Sequence, residues 1–342
     1  MILLGLILLS LLQYNSVDAD GTVPDQVHIS FTGDMTEMAV TWNTFEPASQ
    51  YVVYKKVGTA IQATAFESSE KWVYGGITRY RHTATMTKLE YATEYEYNIA
   101  GRSFTFKTLP KDPQSYKVCV FGDLGYWHGN STESIIKHGL AGDFDFIVHL
   151  GDIAYDLHTD NGRVGDNYLN TFEPLISKIP YMVIAGNHED DLQNFTNYQK
   201  RFSVPRNGHN DNQFYSFDLG PVHWVGVSTE NYGYYYSYGM QPVLTQYDWL
   251  KKDLAAANAN RAARPWIFTF QHRPFYCSNL NSAECQSFEN RLIVGLKCAA
   301  FPQQARTKSR GAGSRPSRDL DLDTTVSIYV RFVWKFWTLT VN

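Results

Sequence analysis

The 342-residue chain is long enough to bury a substantial core, and its length favours two domains, or one large domain with an extension. Hydrophobic residues make up 44% and aromatic residues 15% of the chain, a composition that excludes an intrinsically disordered protein. A formal net charge of -4 gives no electrostatic reason to expect a nucleic acid or an anionic membrane as a partner.

The first 19 residues have the features of a secretory signal peptide. An apolar run of eleven residues, ILLGLILLSLL, is followed by Val17-Asp18-Ala19, which places small residues at the positions that a signal peptidase reads. Eleven residues are too few to cross a bilayer, so this run does not predict a membrane span. We therefore predict that residues 1–19 are a cleaved signal and that the protein is secreted, to the extracellular space or the lysosomal lumen.

Glycosylation and disulfide bonds become possible in such an oxidising compartment. Asn130-Ser131-Thr132 and Asn194-Phe195-Thr196 are acceptor sequons for N-linked glycans. The chain has four cysteines, of which Cys277 and Cys285 are close enough in sequence to clamp a loop as a disulfide. Cys119 lies inside a strand-like run, which predicts a buried thiol instead.

Residues 22–108 have the pattern of a β-sandwich. Short alternating runs are separated by turn residues, and aromatic residues such as Trp42, Tyr95 and Tyr97 are candidates for the core of a fibronectin type III-like module. His28 and His82 lie in predicted strands, where we expect packed or solvated side chains and no catalytic role. The predicted strands are VHISFTG, MAVTWNT, QYVVYKK, YRHTATMTKL, TEYEYNIAG and SFTFKTL.

Beyond a linker at Lys111-Asp112-Pro113, strands alternate with helices, which predicts an α/β domain over residues 115–297. A short helix follows a cap at Ser131 or Thr132, and a second helix is predicted around Asn167–Ser177. QFYSFDLG and PVHWVGVST are predicted to pair antiparallel, and TQYDWLKKDLAAANANR to form an amphipathic helix. The predicted buried strands are YKVCVF, DFDFIVHL, PYMVIA and PWIFTFQ.

Each buried strand ends in a side chain that can bind a metal. In open α/β sheets, ligands bind beyond the carboxyl ends of the strands, where glycine allows a sharp turn. Asp123 and Asp152 therefore end neighbouring strands of one βαβ unit and are expected to lie close together. The other strand-end candidates are Tyr155, Asn187, His188 and His272.

These oxygen and nitrogen donors predict a centre of Fe, Mn or Zn. A carboxylate shared by two cations would hold them about 3.5–4 Å apart, an arrangement that activates water and stabilises charge on a phosphoryl oxygen. The predicted substrate is therefore a small phosphorylated molecule. The sequence contains no signal that predicts an oligomeric state.

Four motifs resemble those of the purple acid phosphatases, a branch of the calcineurin-like metallophosphoesterases. They are GDLG at Gly122–Gly125, GDIAY at Gly151–Tyr155, GNHE at Gly186–Glu189 and the strand that ends in His272. The resemblance covers residues 25–296, and Tyr155 is its specific element. It implies a fibronectin type III-like β-sandwich followed by an α/β metallophosphoesterase domain, in which two mixed sheets are flanked by helices.

The resemblance also implies a role for each candidate ligand. Asp123 and Tyr155 would bind trivalent iron, with Tyr155 giving the charge-transfer colour. Asp152 would bridge the two metals. Asn187 and His272 would hold a divalent iron, zinc or manganese.

The function implied by the resemblance is that of a secreted acid phosphatase that hydrolyses phosphate monoesters. His188 would then hydrogen-bond the phosphate and protonate the leaving group, and the alternative for this residue is a solvated helix-cap histidine. Two other functions remain open. One is a phosphodiesterase or nucleotide pyrophosphatase on the same scaffold, and the other is a secreted glycoprotein that is not catalytic.

The last 45 residues depart from the family pattern. The fifth motif of the family, Gly-His-x-His, is absent, because His272 is the last histidine of this sequence. Residues 298–342 are predicted to be a divergent and disordered tail, apart from one strand over Thr325–Trp337. The C-terminal part of the metallophosphoesterase domain is therefore expected to be missing, and we expect weak activity and poor folding.

Overall fold

The computed structural model describes residues 20–209 and 211–273, together with the backbone of residues 325–328 and 337–341. Its first domain is built from seven antiparallel strands in the order β1-β2-β5-β4-β3-β6-β7. These strands are β1 (Asp25–Ser30), β2 (Met38–Thr44), β3 (Tyr51–Lys56), β4 (Gln62–Tyr74), β5 (Ile77–Met86), β6 (Glu94–Ile99) and β7 (Arg102–Lys107).

Strand β4 connects the two layers of the β-sandwich, because it takes part in both of them. It pairs with β3 through Gln62–Phe66 and with β5 through Glu67–Tyr74. The sequence pattern did not predict this strand, since most of its side chains are exposed and the polar and apolar residues do not alternate. The predicted sandwich is confirmed, with one strand more than the sequence indicated.

The predicted core aromatics of the sandwich are buried. Trp42 is 1% and Tyr97 0% exposed, and Trp42 stacks on His82 with the ring centroids 5.3 Å apart. His28 is also buried, and its Nδ1 lies 2.7 Å from the carbonyl oxygen of Gln26. Both histidines are thus packed, and neither is solvated.

The second domain contains two mixed four-stranded sheets with helices around them, as predicted. One sheet has the order β10-β9-β8-β15 and the other β11-β12-β13-β14. Strands β8, β9 and β10 are parallel, as are β12, β13 and β14. The strands are β8 (Tyr116–Phe121), β9 (Phe146–His149), β10 (Tyr181–Val183), β11 (Tyr215–Leu219), β12 (Val222–Gly226), β13 (Trp266–Phe270), β14 (Thr325–Ile328) and β15 (Trp337–Val341).

The three predicted helices are present with shifted bounds, and three short helices that the sequence did not predict accompany them. The second helix begins at Arg163, four residues earlier than predicted, directly after Gly162 with its left-handed φ of 87°. Ser131 precedes the first helix, but its side chain makes no capping hydrogen bond. The helices are α1 (Thr132–Leu140), α2 (Arg163–Ile176), α3 (Thr196–Arg201), α4 (Glu230–Gly233), α5 (Tyr235–Tyr238) and α6 (Gln241–Ala259), with a 3-10 turn at Asn187–Glu189.

Two segments of the predicted tail form strands. The strand predicted from Thr325 is present as β14, which pairs parallel with β13, and a further strand, β15, pairs antiparallel with β8. The physical reason is that β13 and β8 lie in different sheets and each offers an edge of backbone donors and acceptors. Two short segments of the tail cover these two edges.

The two domains share one continuous core. Phe31, which directly follows β1, packs against Phe146 and Phe217 of the second domain at centroid distances of 5.4 and 5.6 Å. The carboxylate of Glu173 on α2 accepts a hydrogen bond from the backbone of Val27 and pairs with Arg102. The sandwich therefore supports α2, which packs beside the strands that carry the site.

His223 on β12 forms a partly buried charge cluster that predicts a pH-dependent stability. Its two ring nitrogens lie 2.7 Å from Asp218 and 2.9 Å from Asp253. Burial lowers the pKa of His223, but the bonds to Asp218 and Asp253 outweigh burial and raise the pKa to about 9. A histidine whose folded pKa is raised stabilises the fold fully below its unfolded pKa, and this stabilisation disappears as the pH rises through the folded pKa.

We therefore expect His223→Gln to destabilise the protein by about 2 kcal/mol at pH 6 and by much less at pH 9.5. Urea denaturation at the two pH values measures the difference. His209→Gln, at an exposed position, is the control and should cost little at either pH. An equal loss for His223→Gln at pH 6 and pH 9.5 would show that its charge contributes nothing.

Candidate metal centre

The structure brings the ends of four strands together. Asp123 follows β8 and Asp152 follows β9, while His272 comes from β13 in the other sheet. One ligand atom from each of these three side chains lies within 4.8 Å of the others. Asn187, which follows β10, places its Oδ1 3.1 Å from His272 Nε2. Four of the predicted ligands thus converge at one edge of the fold.

The orientation of His272 directs a lone pair into this cluster. Its Nδ1 lies 2.7 Å from the carbonyl oxygen of Leu150, which makes Nδ1 the hydrogen-bond donor. In the neutral ring, Nε2 then carries the lone pair and faces Asp152 Oδ1 at 3.4 Å and Asn187 Oδ1 at 3.1 Å. Three acceptor atoms that face one another repel unless a proton or a cation lies between them. Histidines that bind metals usually donate the N–H of their other ring nitrogen to a carbonyl or carboxylate, as His272 does here.

The electrostatics of the site also favour a cation. Burial raises the pKa of Asp123, and the nearby Asp152 carboxylate raises it further. Burial alone lowers the pKa of His272, but Asp152, Glu230 and Asp123 outweigh it and raise that pKa. Carboxylates that are crowded and poorly solvated become stable as anions when a metal ion lies among them.

Tyr155 lies beside Asp123. Its hydroxyl donates a hydrogen bond of 3.0 Å to Asp123 Oδ1. Burial and the charges of Asp123 and Asp152 raise the pKa of Tyr155, so that only a strongly Lewis-acidic ion would convert the phenol to a phenolate. The donor set on this side therefore fits trivalent iron, and the amide and imidazole on the other side fit a divalent ion.

The backbone of the site is strained in the way that functional sites often are. Asp123, Asp152 and Tyr155 all adopt left-handed backbone conformations, with φ values of 55°, 51° and 43°. Gly186 is required because a Cβ there would lie 2.4 Å from Asp152 Oδ1 and 2.9 Å from His272 Cε1. The loops after β9 and β10 can approach this closely only without a side chain at residue 186.

Glu189 locks these two loops together. Its carboxylate is fully buried and accepts hydrogen bonds of 2.8 Å from the backbone N–H groups of Asp152, Ile153 and Gly186. Burial raises the pKa of Glu189 to about 7, and the charge of Asp152 acts in the same direction. The sequence motif contained this residue but gave no indication of its role.

His188 lies at the rim of the centre and is oriented by Asp156. The imidazole Nδ1 is 2.5 Å from Asp156 Oδ1, while Nε2 is 4.0 Å from Asp152 Oδ2. The ring packs on Tyr155 at a centroid distance of 4.4 Å, so His188 is not a freely solvated cap. Sequence reasoning missed Asp156, although it directly follows the GDIAY motif and its position could have indicated the partnership.

The remaining candidate residues are the two glycan acceptors and the cysteines. Asn130 and Asn194 are exposed, as glycan acceptors must be. Cys119 is a buried free thiol, as predicted. Cys277 and Cys285 fall outside the described residues, so their pairing stays a prediction.

The fold and this site together define a class of protein. Residues 116–300 match the calcineurin-like phosphoesterase family, and residues 24–108 match the N-terminal domain of purple acid phosphatases. The chain belongs to the calcineurin-like phosphoesterases and, within them, to the purple acid phosphatase group.

Its relatives include acid phosphatase type 7 of Homo sapiens, 39% identical over 302 residues that cover 85% of this chain and 68% of the relative. The corresponding protein of Mus musculus is 38% identical, with 81% of this chain and 65% of the relative covered. Purple acid phosphatase 15 of Arabidopsis thaliana is 30% identical, with 78% and 59% covered. The chain thus spans 59–68% of the length of these relatives.

A solved structure, purple acid phosphatase PPD1 from yellow lupin seeds, supports the fold. The two structures superpose with a TM-score of 0.64 at 21% sequence identity, over 76% of this chain and 52% of the lupin chain.

Among residues 20–209 and 211–273, none of the helices combines the length and apolar character that a bilayer crossing requires.

Proposed function

We propose that this chain is an acid phosphatase that hydrolyses small phosphate monoesters at a centre of Fe(III) and a divalent Fe, Zn or Mn. The observation that carries the proposal is the convergence of Asp123, Asp152 and His272, whose ligand atoms lie within 4.8 Å of one another. The names of the relatives, acid phosphatase type 7 and purple acid phosphatase 15, support the same reaction.

The residues would divide between the two ions by their chemistry. Asp123 and Tyr155 would hold Fe(III), Asp152 would bridge, and Asn187 and His272 would hold the divalent ion. When bound, such a pair of ions activates water and stabilises the charge that develops on the phosphoryl oxygens. The chain has no histidine after His272 and therefore lacks the last two imidazoles of the family pattern, so we propose an activity below that of the relatives.

His188 would bind the phosphoryl group and deliver a proton to the leaving group. Asp156 holds Nδ1–H, which leaves Nε2 facing Asp152 and the space where a substrate would bind. A proton on Nε2 is what this role requires, since the oxygen of the leaving group takes it as the P–O bond breaks.

The protein as proposed is secreted, or resides in the lysosome. The apolar N-terminal run and the exposed sequons at Asn130 and Asn194 support this location. In an oxidising compartment a Cys277–Cys285 disulfide would form after β13. No nucleic acid is proposed as a substrate, because the net charge of -4 offers no attraction for one.

We expect His188→Asn to lower kcat about 100-fold and Asp156→Asn about 10-fold, because the first removes the proton donor and the second only its orientation. The loss should be larger for β-glycerophosphate than for p-nitrophenyl phosphate, since an alkoxide needs a proton and nitrophenolate does not. Steady-state assays between pH 4 and 7 measure both effects. Equal losses on the two substrates would exclude His188 as the proton donor.

The function as a whole is tested by assaying the purified protein, supplied with iron and zinc, on p-nitrophenyl phosphate and on bis-p-nitrophenyl phosphate. A phosphomonoesterase hydrolyses the monoester faster. Preference for the diester would indicate a phosphodiesterase, and hydrolysis of neither, together with no bound metal, would indicate a non-catalytic glycoprotein.

A further inference from the structure

Residues 229–238, which run from the loop after β12 through α4 and α5, lie between the two loops that carry Asn187 and His272. We propose that this segment, called the brace, positions both of these residues for the divalent metal. The inference rests on the proposed function, since it concerns the same centre. None of the motifs in the sequence includes the brace.

The first contact of the brace fixes the chain directly after His272. The backbone N–H of Arg273 donates a 3.0 Å hydrogen bond to Thr229 Oγ1. The guanidinium of Arg273 binds both carboxylate oxygens of Glu230, with Nε 2.8 Å from Oε1 and Nη2 3.1 Å from Oε2. Glu230 and Thr229 are fully buried, while the side chain of Arg273 is 23% exposed, so the carboxylate side of this two-point contact is shielded from water.

On its other side, His272 is held by the sheet. The backbone N–H of Val227 donates to the carbonyl of Phe270, which continues the β12–β13 ladder up to two residues before the imidazole. The main chain of His272 is therefore anchored both before and after the residue. With Nδ1 bound to the carbonyl of Leu150, the direction of Nε2 is fixed.

The second contact of the brace fixes the turn that carries Asn187. The hydroxyl of Tyr234 donates a 3.3 Å hydrogen bond to the backbone carbonyl of Asn187, and the hydroxyl of Tyr238 bonds the carboxylate of Asp190. Both tyrosine rings pack on Phe195, at centroid distances of 5.7 and 6.0 Å. The same short segment thus holds the supporting backbone of both residues.

The consequence is that the brace sets the separation of the two donor atoms. Asn187 Oδ1 and His272 Nε2 are 3.1 Å apart, and they come from different sheets. Two strand ends in different sheets have no shared ladder to fix their distance, whereas Asp123 and Asp152 follow the paired strands β8 and β9. Partners that orient metal ligands in this way typically contribute 10–100-fold to metal affinity.

The test is a Zn²⁺ titration of chelator-treated protein, with two brace variants and two matched controls. We expect Glu230→Gln and Tyr234→Phe to weaken one of the two zinc sites about 10–100-fold. Tyr97→Phe removes a hydroxyl that donates to the carbonyl of Ser177, and Glu173→Gln breaks the pair with Arg102, both at the domain interface. These controls should lower the melting temperature and leave both zinc affinities unchanged.

Several outcomes separate the inference from the function on which it rests. Wild-type affinity in the brace variants, or a loss no larger than in the controls, overturns the brace alone. If the wild-type protein binds no zinc, both the proposed metal centre and the proposed role of the brace are wrong. Fe(III) loading should retain its tyrosinate band in Tyr234→Phe, because Tyr155 lies outside the brace. Loss of that band would mean that the brace supports the whole centre and not one ligand pair.

If Glu230→Gln does not fold, Tyr234→Phe decides the question, since it keeps the ring that packs on Phe195. Arg273→Lys is the conservative partner variant. It keeps the charge and the backbone bond to Thr229 but loses the two-point contact, and we expect a zinc affinity between those of the wild type and Glu230→Gln. An affinity for Arg273→Lys below that of Glu230→Gln would contradict this role of the two-point contact.

Discussion

Asp152→Asn is expected to eliminate stoichiometric metal binding and to reduce kcat/KM for p-nitrophenyl phosphate on the order of 1,000-fold, about 4 kcal/mol of transition-state stabilisation. Asp152 is central to the cluster, with its carboxylate 3.4 Å from His272 Nε2 and accepting a 3.0 Å hydrogen bond from the backbone of His188. Asparagine keeps the shape and one oxygen but loses the negative charge that a bridging ligand needs.

The same substitution should change the stability of the metal-free protein little. Burial raises the pKa of Asp123 and of Glu189 and the charge of Asp152 raises both further, whereas the same charge also raises the pKa of His272. Asp152→Asn therefore relieves a repulsion and removes an attraction together, so the metal-free variant and the metal-free wild type should melt at similar temperatures. Added zinc should stabilise only the wild type.

Asp143→Asn is the control for this experiment, because Asp143 is exposed and pairs only with His138 among the contacts seen. It should retain wild-type metal content and activity. An Asp152→Asn protein that still binds two metal ions per chain would show that Asp152 is not the bridge.

The largest loss of stability is expected for Asp166→Asn, at about 3–5 kcal/mol. Asp166 on α2 accepts hydrogen bonds from Arg79 of the sandwich and from Arg201 of α3, with shortest distances of 2.6 and 2.7 Å. Both arginines are buried, at 0% and 3% exposure. Removing the carboxylate charge leaves two buried guanidinium groups without their counter-ion. The expected loss is a large part of the free energy of unfolding of a domain, which is roughly 5–15 kcal/mol.

The pH dependence of this cluster has a definite sign. Burial raises the pKa of Asp166, but Arg201 and Arg79 outweigh burial and lower it. A carboxylate with a lowered folded pKa stabilises the fold above its unfolded pKa of 3.8, and this contribution disappears as the pH falls through the folded pKa. The difference between wild type and Asp166→Asn should therefore be full at pH 7 and shrink below pH 4.

Urea denaturation at pH 7 measures this loss, with Asp160→Asn as the control. Asp160 pairs with Arg163 on the surface, at a distance of 3.4 Å and with more than half of each side chain exposed. Exposed pairs contribute little, so the control should unfold at nearly the wild-type midpoint. A shift for Asp166→Asn that is as small as the shift for the control would show that the buried cluster contributes little to the free energy of unfolding.

Local sequence rules predicted most of the architecture. The buried runs before Asp123 and Asp152 predicted neighbouring parallel strands, and the structure has them as β8 and β9. The aromatic runs of residues 22–108 predicted the sandwich. These features depend on short-range patterns of burial, which the sequence records directly.

The features that the sequence did not reveal depend on contacts distant in the chain. Strand β4 escaped detection because its exposed polar residues show no alternation. The pairing of Asp166 with Arg79 joins residues 87 positions apart, and Arg273 and Glu230 are 43 positions apart. Strand β15 was not predicted, and its partner, β8, lies more than 200 residues earlier in the chain.

The most direct test of the proposed centre is a crystal structure of the purified protein, loaded with iron and zinc, with anomalous scattering measured at both metal edges. A phosphatase centre of the proposed kind predicts two peaks that share Asp152, an iron beside Asp123 and Tyr155 and a zinc beside Asn187 and His272. If neither metal lies within about 2.5 Å of an Asp152 oxygen, the proposed centre is wrong.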